Sequence, residues 1–283
     1  MALARDLEAD AFARSLDERG HALIDLSKDA RVMALIDRAN DETERWHGQG
    51  FNRVQDAWRR SPAVRALATL PQIADALASA YGAEPYPFQT LNFFVGSQQR
   101  AHSDMIHFTP DPPHLMCGVW LALEDVREDT GPVFYLPGSH TLPVLDLAAS
   151  GAPAGMNPED AYRNHYEPVL EAGVAGMRRE TALLRKGQAF VWAANLVHGG
   201  SPVRDRRATR RSLVTHYFFK SAEPYTLMHS RRRRAYRLPT DIRTGRFVWP
   251  RTGAPSLKTF AAALYARLCR KVFTFGAVAP KAT

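Results

Sequence analysis

Phe88-Gln89-Thr90-Leu91-Asn92-Phe93-Phe94-Val95, closed by Gly96-Ser97, is the stretch on which the fold reading turns. It is short, aromatic and ended by turn residues. Five more runs of the same texture follow: Met116–Leu123, Val133–Leu136, Glu180–Leu184, Ala189–Trp192 and Arg210–Phe219. Turn signals separate them, among them Pro110-Asp-Pro-Pro113, Thr130-Gly-Pro132, Pro137-Gly-Ser139, Lys186-Gly187 and Gly199-Gly-Ser-Pro202. Several short strands punctuated in this way argue for a β-sandwich or small barrel.

Outward from this core the pattern becomes helical. In Ala4–Gly20 and again in Val32–Trp46 apolar residues recur at steps of three and four. Ser61-Pro62 is a helix start, a capping hydroxyl followed by proline at the first helical position, and the same period runs on to Tyr81-Gly82. A helical insert is expected at about 146–176, where Pro158-Glu-Asp-Ala reads as a helix start and the segment could act as a lid. One more helix is expected at about Ser256–Val272. The reading is therefore one domain over residues 1–283: a mostly helical part to residue 84, a β core over 85–220, and a C-terminal segment over 221–283.

The 283 residues include 45% apolar ones, enough to bury a substantial core, and no apolar stretch is long enough to span a bilayer. The first twenty residues mix acids and bases and lack the apolar run of a signal peptide. Cys117 and Cys269 are too few for a disulfide framework, so a reducing, cytoplasmic setting is expected. The net charge of +8 is uneven: residues 221–283 carry ten Arg and three Lys against only Glu223 and Asp241. A basic tail on a slightly acidic body points to an anionic contact, whether a phosphorylated or carrier-bound small molecule or a membrane surface, with a solvated surface as the plain alternative. The run Arg231–Arg234 has no interleaved aromatics to stack on bases, which counts against nucleic acid.

The chemistry centres on Gln98-Gln-Arg-Ala-His102-Ser-Asp104. On an extended strand His102 and Asp104 share a face, where an imidazole and a carboxylate can take adjacent positions on a metal ion. His198, at the end of an apolar run and just before Gly-Gly-Ser-Pro, is the candidate third ligand. Two histidines and one carboxylate leave three positions of an octahedral ion open, the arrangement suited to Fe(II) with a bidentate cosubstrate and O2. A His-x-Asp pair alone is weak; a second cluster strengthens it. Along Arg210–Phe219 strand alternation puts Arg210, Ser212, Val214 and His216 on one face. A guanidinium fork beside a hydroxyl is an anchor for a carboxylate.

These motifs together resemble the phytanoyl-CoA dioxygenase family over roughly Tyr86–Phe219. The resemblance rests on His102-Ser-Asp104, Cys117-Gly-Val-Trp-Leu-Ala-Leu-Glu-Asp125, Gly131-Pro-Val-Phe-Tyr-Leu-Pro-Gly-Ser-His140, Val197-His198-Gly-Gly-Ser and Arg210-x-Ser212. It implies a mainly β fold with flanking helices, built on a double-stranded β-helix of the jelly-roll, cupin-like kind. It also implies Fe(II) on His102, Asp104 and His198, and 2-oxoglutarate anchored by Arg210 with Ser212. Asn92 and Trp120 are implied as further cosubstrate contacts. The implied reaction is hydroxylation with O2, releasing succinate and CO2; desaturation and ring formation also occur on this scaffold. Thr130-Gly131-Pro132 departs from the family's Asn-Gly-Pro, and Asp104 argues against the halogenating relatives, which carry a small residue there.

Neighbouring residues have rival readings. Strand parity sets His107 opposite His102 unless the chain turns first, leaving it as a candidate substrate contact. Arg211 replaces Arg210 if the register slips by one. His114 and His140 read as loop and turn residues, His216 as a core residue, and Glu124 and Asp125 as turn caps. A metal-dependent hydrolase or cupin-type isomerase would use the same ligands but leave Arg210 idle; a retired binding protein on this fold is a third class. The substrate and the oligomeric state are not legible in these residues.

Overall fold

The computed structural model describes residues 2–230, 234–269 and 271–276. The first helix, α1 (Ala2–Arg19), leads through Gly20 into a strand, β1 (His21–Asp25). Helix α2 (Ala30–His47) follows, capped by Asp29, whose carboxylate accepts from the Arg31 and Val32 amides, then strand β2 (Phe51–Gln55). β1 and β2 lie where the sequence reads as helix throughout. Each is five residues long and takes its conformation from partners distant in sequence, β1 from β7 (Gln188–Ala193) and β2 from β3 (Pro85–Phe93). Pairing of this kind leaves no local periodic signature.

The helix expected to run from Pro62 to Tyr81 is two: α3 (Pro62–Ala68) and α4 (Pro71–Tyr81). Pro71 cannot donate to the preceding turn and so begins a new helix. The expected start is present, with the Ser61 hydroxyl accepting from the Val64 amide at 3.1 Å, a cap worth about 1 kcal/mol.

The β core follows the six runs closely. β3, β4 (Met116–Ala122), β5 (Val133–Tyr135), β6 (Glu180–Ala182), β7 and β9 (Ser212–Phe219) occupy them, and β8 (His198–Gly200) is added where the third ligand was expected. Seven strands form the major sheet in the order β1-β7-β4-β9-β3-β2-β14, the last being Phe273–Gly276, and β6-β5-β8 form a minor sheet. Between β5 and β6 the insert holds α5 (Pro158–Ala161) and, after one π turn at Tyr162–Tyr166, α6 (Glu167–Gly173). Short hairpins β10 (Tyr225–Thr226) with β11 (Ala235–Tyr236) and β12 (Thr240–Asp241) with β13 (Arg246–Phe247) precede the C-terminal helix α7 (Leu257–Leu268).

Both faces of the major sheet are covered, so β4 and β9 are buried from end to end. Alternation still sorts them. Cys117, Val119, Leu121, Leu213, Tyr217 and Phe219 meet Val32, Ile36, Val64, Leu67 and Leu77 of the helices. Trp120, Ala122, Phe190, Trp192 and Val214 face the minor sheet instead, with Tyr135 and Ala182. This two-sheet jelly roll with helices on one outer face is the double-stranded β-helix expected. Among the described residues no helix is long and apolar enough to cross a membrane.

Candidate metal and cosubstrate site

Register lines up the inner face of the major sheet in rows. Arg53, Phe93, Ser212 and Ala122 form one row across β2, β3, β9 and β4. Gln55, Leu91, Val214, Trp120 and Phe190 form the next. Gln89, His216, Gly118 and Trp192 form the third. A cavity of about 300 Å³ opens over these rows, closed opposite by Val133, His198 and Gly199 of the minor sheet.

At the third row the chain brings His102, Asp104 and His198 together, with one candidate ligand atom from each within 4.8 Å of the others. His102 and His198 are locked by reciprocal backbone bonds, His102 N–H to the His198 carbonyl at 2.9 Å and His198 N–H to the His102 carbonyl at 3.0 Å. Gly199 is required at this crossing, because a Cβ there would sit 2.6 Å from the Phe134 ring and 2.7 Å from the Gln99 carbonyl. Each imidazole has its Nδ1 on a carbonyl two residues back, Arg100 at 2.9 Å and Leu196 at 3.0 Å. That contact fixes Nδ1 as the donor and leaves the Nε2 lone pair facing the cavity, the tautomer a metal needs. The nitrogens stand 3.8 and 4.0 Å from the Asp104 oxygens, too far to hydrogen-bond and near enough to share an ion.

The carboxylate is also oriented. The Trp192 indole N–H donates to Asp104 Oδ2 at 2.8 Å, and His216 Nε2 lies 3.5 Å from the same oxygen. Trp192 reaches that position only because residue 118 is glycine: a Cβ there would lie 2.2 Å from the indole ring. Burial alone would raise the Asp104 carboxyl, but the neighbouring His198, His216 and His102 imidazoles hold it well below the usual carboxylate range. Burial, with the neighbouring His198, lowers His102 to about 3 and so keeps it neutral. Anion and neutral imidazoles are the protonation states that bind a metal.

The first row holds the residues read as a carboxylate anchor. Arg210 is 2% exposed, its Nη1 donates to the Ser212 hydroxyl at 2.5 Å, and burial, offset in part by Glu124, lowers its pKa to about 10. Its guanidinium carbon lies 5.2 Å from the Trp120 ring centre. Among the described residues, Arg210 Nε and Trp120 Nε1 are both buried and have no hydrogen-bond partner. Two donors without acceptors at one end of a cavity, with a two-imidazole, one-carboxylate cluster at the other, fit a keto diacid chelating a metal. Arg211 takes the opposite direction and pairs with Glu44 of α2 at 2.5 Å, so the register is the one expected.

Of the candidates, Asn92 is not brought to the cavity. It sits in register with Val54 and Leu213, which belong to the helix-facing core, while Leu91 and Phe93 on either side line the cavity. Strand parity decides this: Asn92 is one residue out of phase with the inner face. The expected strand at His102–Asp104 is reduced to an isolated bridge between His102 and His198. A 3-10 turn at Asp104–Ile106 follows, so strand parity does not apply and His107 does line the cavity; burial lowers its pKa to about 4. His216, read as core, is a cavity residue in contact distance of Asp104, and its shared face with Arg210 was the signal. Gln99, whose amide approaches His102 Nε2 at 3.2 Å, and Trp192 and Arg53 were missed. For Trp192 no sequence signal exists, since its role depends on the hole left by Gly118 on another strand. His140 closes a turn as expected, its Nε2 2.8 Å from the Asp17 carbonyl, and Glu124 accepts from Thr209 and the Arg211 amide. The helical insert packs Tyr166, Leu170 and Val174 on Ile106 and Val197, beside the metal cluster. Of the basic run, Arg231–Arg233 lie outside the described residues, and Arg234 pairs with Asp111.

Fold and cluster together define a double-stranded β-helix protein with a two-histidine, one-carboxylate site. The chain belongs to the phytanoyl-CoA dioxygenase family, whose model matches residues 18–212. It is 25% identical over 156 residues to phytanoyl-CoA dioxygenase domain-containing protein 1 of Bos taurus, covering 53% of this chain and only about half (50%) of that relative. Among solved structures, the fold is similar to the epimerase SnoN in complex with Fe3+, alpha ketoglutarate and nogalamycin RO: TM-score 0.64, 21% identity, 80% of this chain and 88% of the other. It is also similar to the non-heme alpha ketoglutarate dependent carbocyclase SnoK from nogalamycin biosynthesis, with TM-score 0.61, 19% identity and 75% and 85% coverage. A third is EctD from S. alaskensis with 2-oxoglutarate and 5-hydroxyectoine, with TM-score 0.54, 17% identity and 86% and 84% coverage.

Proposed function

We propose that this protein is an Fe(II)- and 2-oxoglutarate-dependent oxygenase that hydroxylates an unactivated carbon of a small-molecule substrate. In this reading His102, Asp104 and His198 hold the iron, and Arg210, Ser212 and Trp120 receive the far carboxylate of 2-oxoglutarate. The observation that carries it is the pair of unpartnered buried donors, Arg210 Nε and Trp120 Nε1, in the same cavity as the ligand cluster. A hydrolase or cupin-type isomerase that uses the three ligands without a keto diacid cosubstrate has no use for them, and a buried guanidinium N–H without an acceptor costs folding energy.

Iron with 2-oxoglutarate and O2 supplies the oxidising power for C–H cleavage, with succinate and CO2 as co-products. The chain does the rest. Trp192 and His216 fix the Asp104 carboxylate, and the Arg100 and Leu196 carbonyls fix the imidazole tautomers. Phe93, Leu91, Val214 and Trp120 make the cavity wall between anchor and metal cluster largely apolar, so the cosubstrate is held in one orientation with little competing water. His107, at the mouth under Tyr162 of the insert, is placed to meet the substrate. SnoN and SnoK, an epimerase and a carbocyclase, share the fold; of the outcomes that can follow hydrogen removal, hydroxylation is the simplest and is the one proposed.

The test is anaerobic addition of Fe(II) and then 2-oxoglutarate, followed by admission of air. A visible charge-transfer band, and succinate formed stoichiometrically with 2-oxoglutarate consumed, are expected. No band and no succinate would favour the hydrolase or isomerase reading. Tight metal binding with no turnover across a broad substrate panel would favour the retired binding protein.

A further inference from the structure

With Arg210 given to the cosubstrate, one cation of the cavity is left without a task. Arg53 of β2 stands in the same cross-strand row as Ser212, two strands away, and lines the cavity. Its guanidinium carbon lies 4.4 Å from the ring centre of Phe275 and 5.9 Å from that of Phe93. Among the described residues no acidic side chain forms an ion pair with it, and burial is the sole cause acting on its pKa, which it lowers. Of the described residues that line the cavity the only other arginine is Arg210; Arg237, over the Phe108 ring and bonded to the His107 carbonyl, is not among them. In the oxygenase reading Asp104 and the chelating carboxylate of 2-oxoglutarate neutralise the Fe(II) ion, and the far carboxylate meets Arg210. A single unit of positive charge remains, in a partly desolvated setting where an unpaired ion is costly. On the same inner face are two amide side chains, Gln55 in the next row and Gln89 in the third, Gln55 also reaching toward the Asp56 carboxylate.

We infer that Arg53, with Gln55 in the next row of the same face, is the subsite for a carboxylate of the prime substrate. The inference rests on the oxygenase reading above. Phe275 and, more distantly, Phe93 pack against the guanidinium, and a guanidinium fork suits bidentate contact with a planar carboxylate. The charge balance calls for one negative charge, which a carboxylate supplies and a phosphate dianion exceeds. The cavity, at about 300 Å³, is at the small end of ligand sites. It therefore encloses the cosubstrate and the carboxylate-bearing end of the substrate, while any larger remainder lies outside. Arg53 is held on its outer side by β14, which pairs Phe275 with it, so the C-terminal strand is part of the subsite's construction.

The experiment uses the full-length protein with Fe(II) and 2-oxoglutarate under anaerobic conditions. Butyrate, octanoate, octyl phosphate and octanol are titrated as probes, and the visible band and calorimetric affinity are followed. Butyrate and octanoate are expected to bind the complex. Arg53→Gln is expected to weaken both at least tenfold, with 2-oxoglutarate affinity changed less than twofold and octanol unaffected. Arg53→Lys, which keeps the charge and loses the fork, is expected to fall between, and serves if Arg53→Gln melts early. The inference is overturned if neither carboxylate binds, if both bind wild type and Arg53→Gln alike, or if octyl phosphate binds at least tenfold more tightly than octanoate. It is equally overturned if Arg53→Gln loses 2-oxoglutarate affinity tenfold, since Arg53 would then serve the cosubstrate. A wild-type protein that gives no 2-oxoglutarate band overturns the oxygenase reading itself; a band without carboxylate binding overturns only this inference.

Discussion

Replacing Arg210 by Met separates a binding role from a structural one, because the two predict opposite effects on the free protein. Arg210 is 2% exposed and its ionised guanidinium makes one side-chain hydrogen bond, to Ser212. Burial lowers its pKa to about 10, with Glu124 only partly offsetting. Without a ligand the fold thus carries a desolvated charge that methionine, of similar length, would remove, and the melting temperature of Arg210→Met should be equal to or above that of wild type. With 2-oxoglutarate the sign reverses. Truncating one partner of a buried, hydrogen-bonded charge pair costs about 2–5 kcal/mol, so at about 4 kcal/mol the cosubstrate dissociation constant should rise roughly a thousandfold. Ser212→Ala loses one hydrogen bond to a charged group, worth about 1.5 kcal/mol, and should raise it roughly tenfold. Dissociation constants are read from the anaerobic charge-transfer band and melting temperatures by calorimetry. An Arg210→Met protein that keeps its 2-oxoglutarate affinity within fivefold, or melts well below wild type, refutes the anchor assignment.

Other perturbations probe the support around the ligands. Trp192→Phe removes the indole donor at 2.8 Å from Asp104 while keeping most of the ring, and should weaken Fe(II) affinity about 10- to 100-fold, measured by competition with a chelating dye; unchanged affinity would show that the hydrogen bond does not orient the carboxylate. Gly118→Ala places a methyl 2.2 Å from the Trp192 ring, and should cost about 1–3 kcal/mol of overpacking as well as metal affinity, since the indole must leave its position; denaturant unfolding with and without metal checks both. His21 and His107 are both lowered by burial, His107 to about 4. The unfolded chain therefore binds more protons below its ordinary histidine pKa of about 6.5. Stability should fall as pH drops from about 6.5 toward 4, by at most about 1.4 kcal/mol per pH unit per histidine. In urea unfolding at graded pH, His107→Gln should flatten that slope; an unchanged slope would show that His107 is not held neutral.

What could be read from the residues alone follows from which information is local. Strand alternation is a local property, so the shared face of Arg210, Ser212, Val214 and His216 and the six core runs were legible; Trp120 was placed only by the family resemblance. His198 was legible as the close of an apolar run before Gly-Gly-Ser-Pro, although it opens a strand, β8 (His198–Gly200), instead of ending one. The misplacement of Asn92 has the same origin, since it is out of phase with Leu91 and Phe93, which the cavity uses, and phase was available in the sequence. β1 and β2 were illegible for a different reason. Five-residue strands at a sheet's side are specified by their neighbours, and a helical texture around them hides the change.

The sequence by itself determined the ligand types, their order and the anchor's phase, because each depends on residues within one strand or one turn. Tertiary structure alone decided what surrounds them. It set Trp192 through the gap at Gly118, turned His107 inward through the 3-10 turn at Asp104–Ile106, and carried Arg53 across two strands to the row of Ser212. Such positions are fixed by cross-strand register and by the close packing of side chains from separate segments. No single stretch of the chain contains that information.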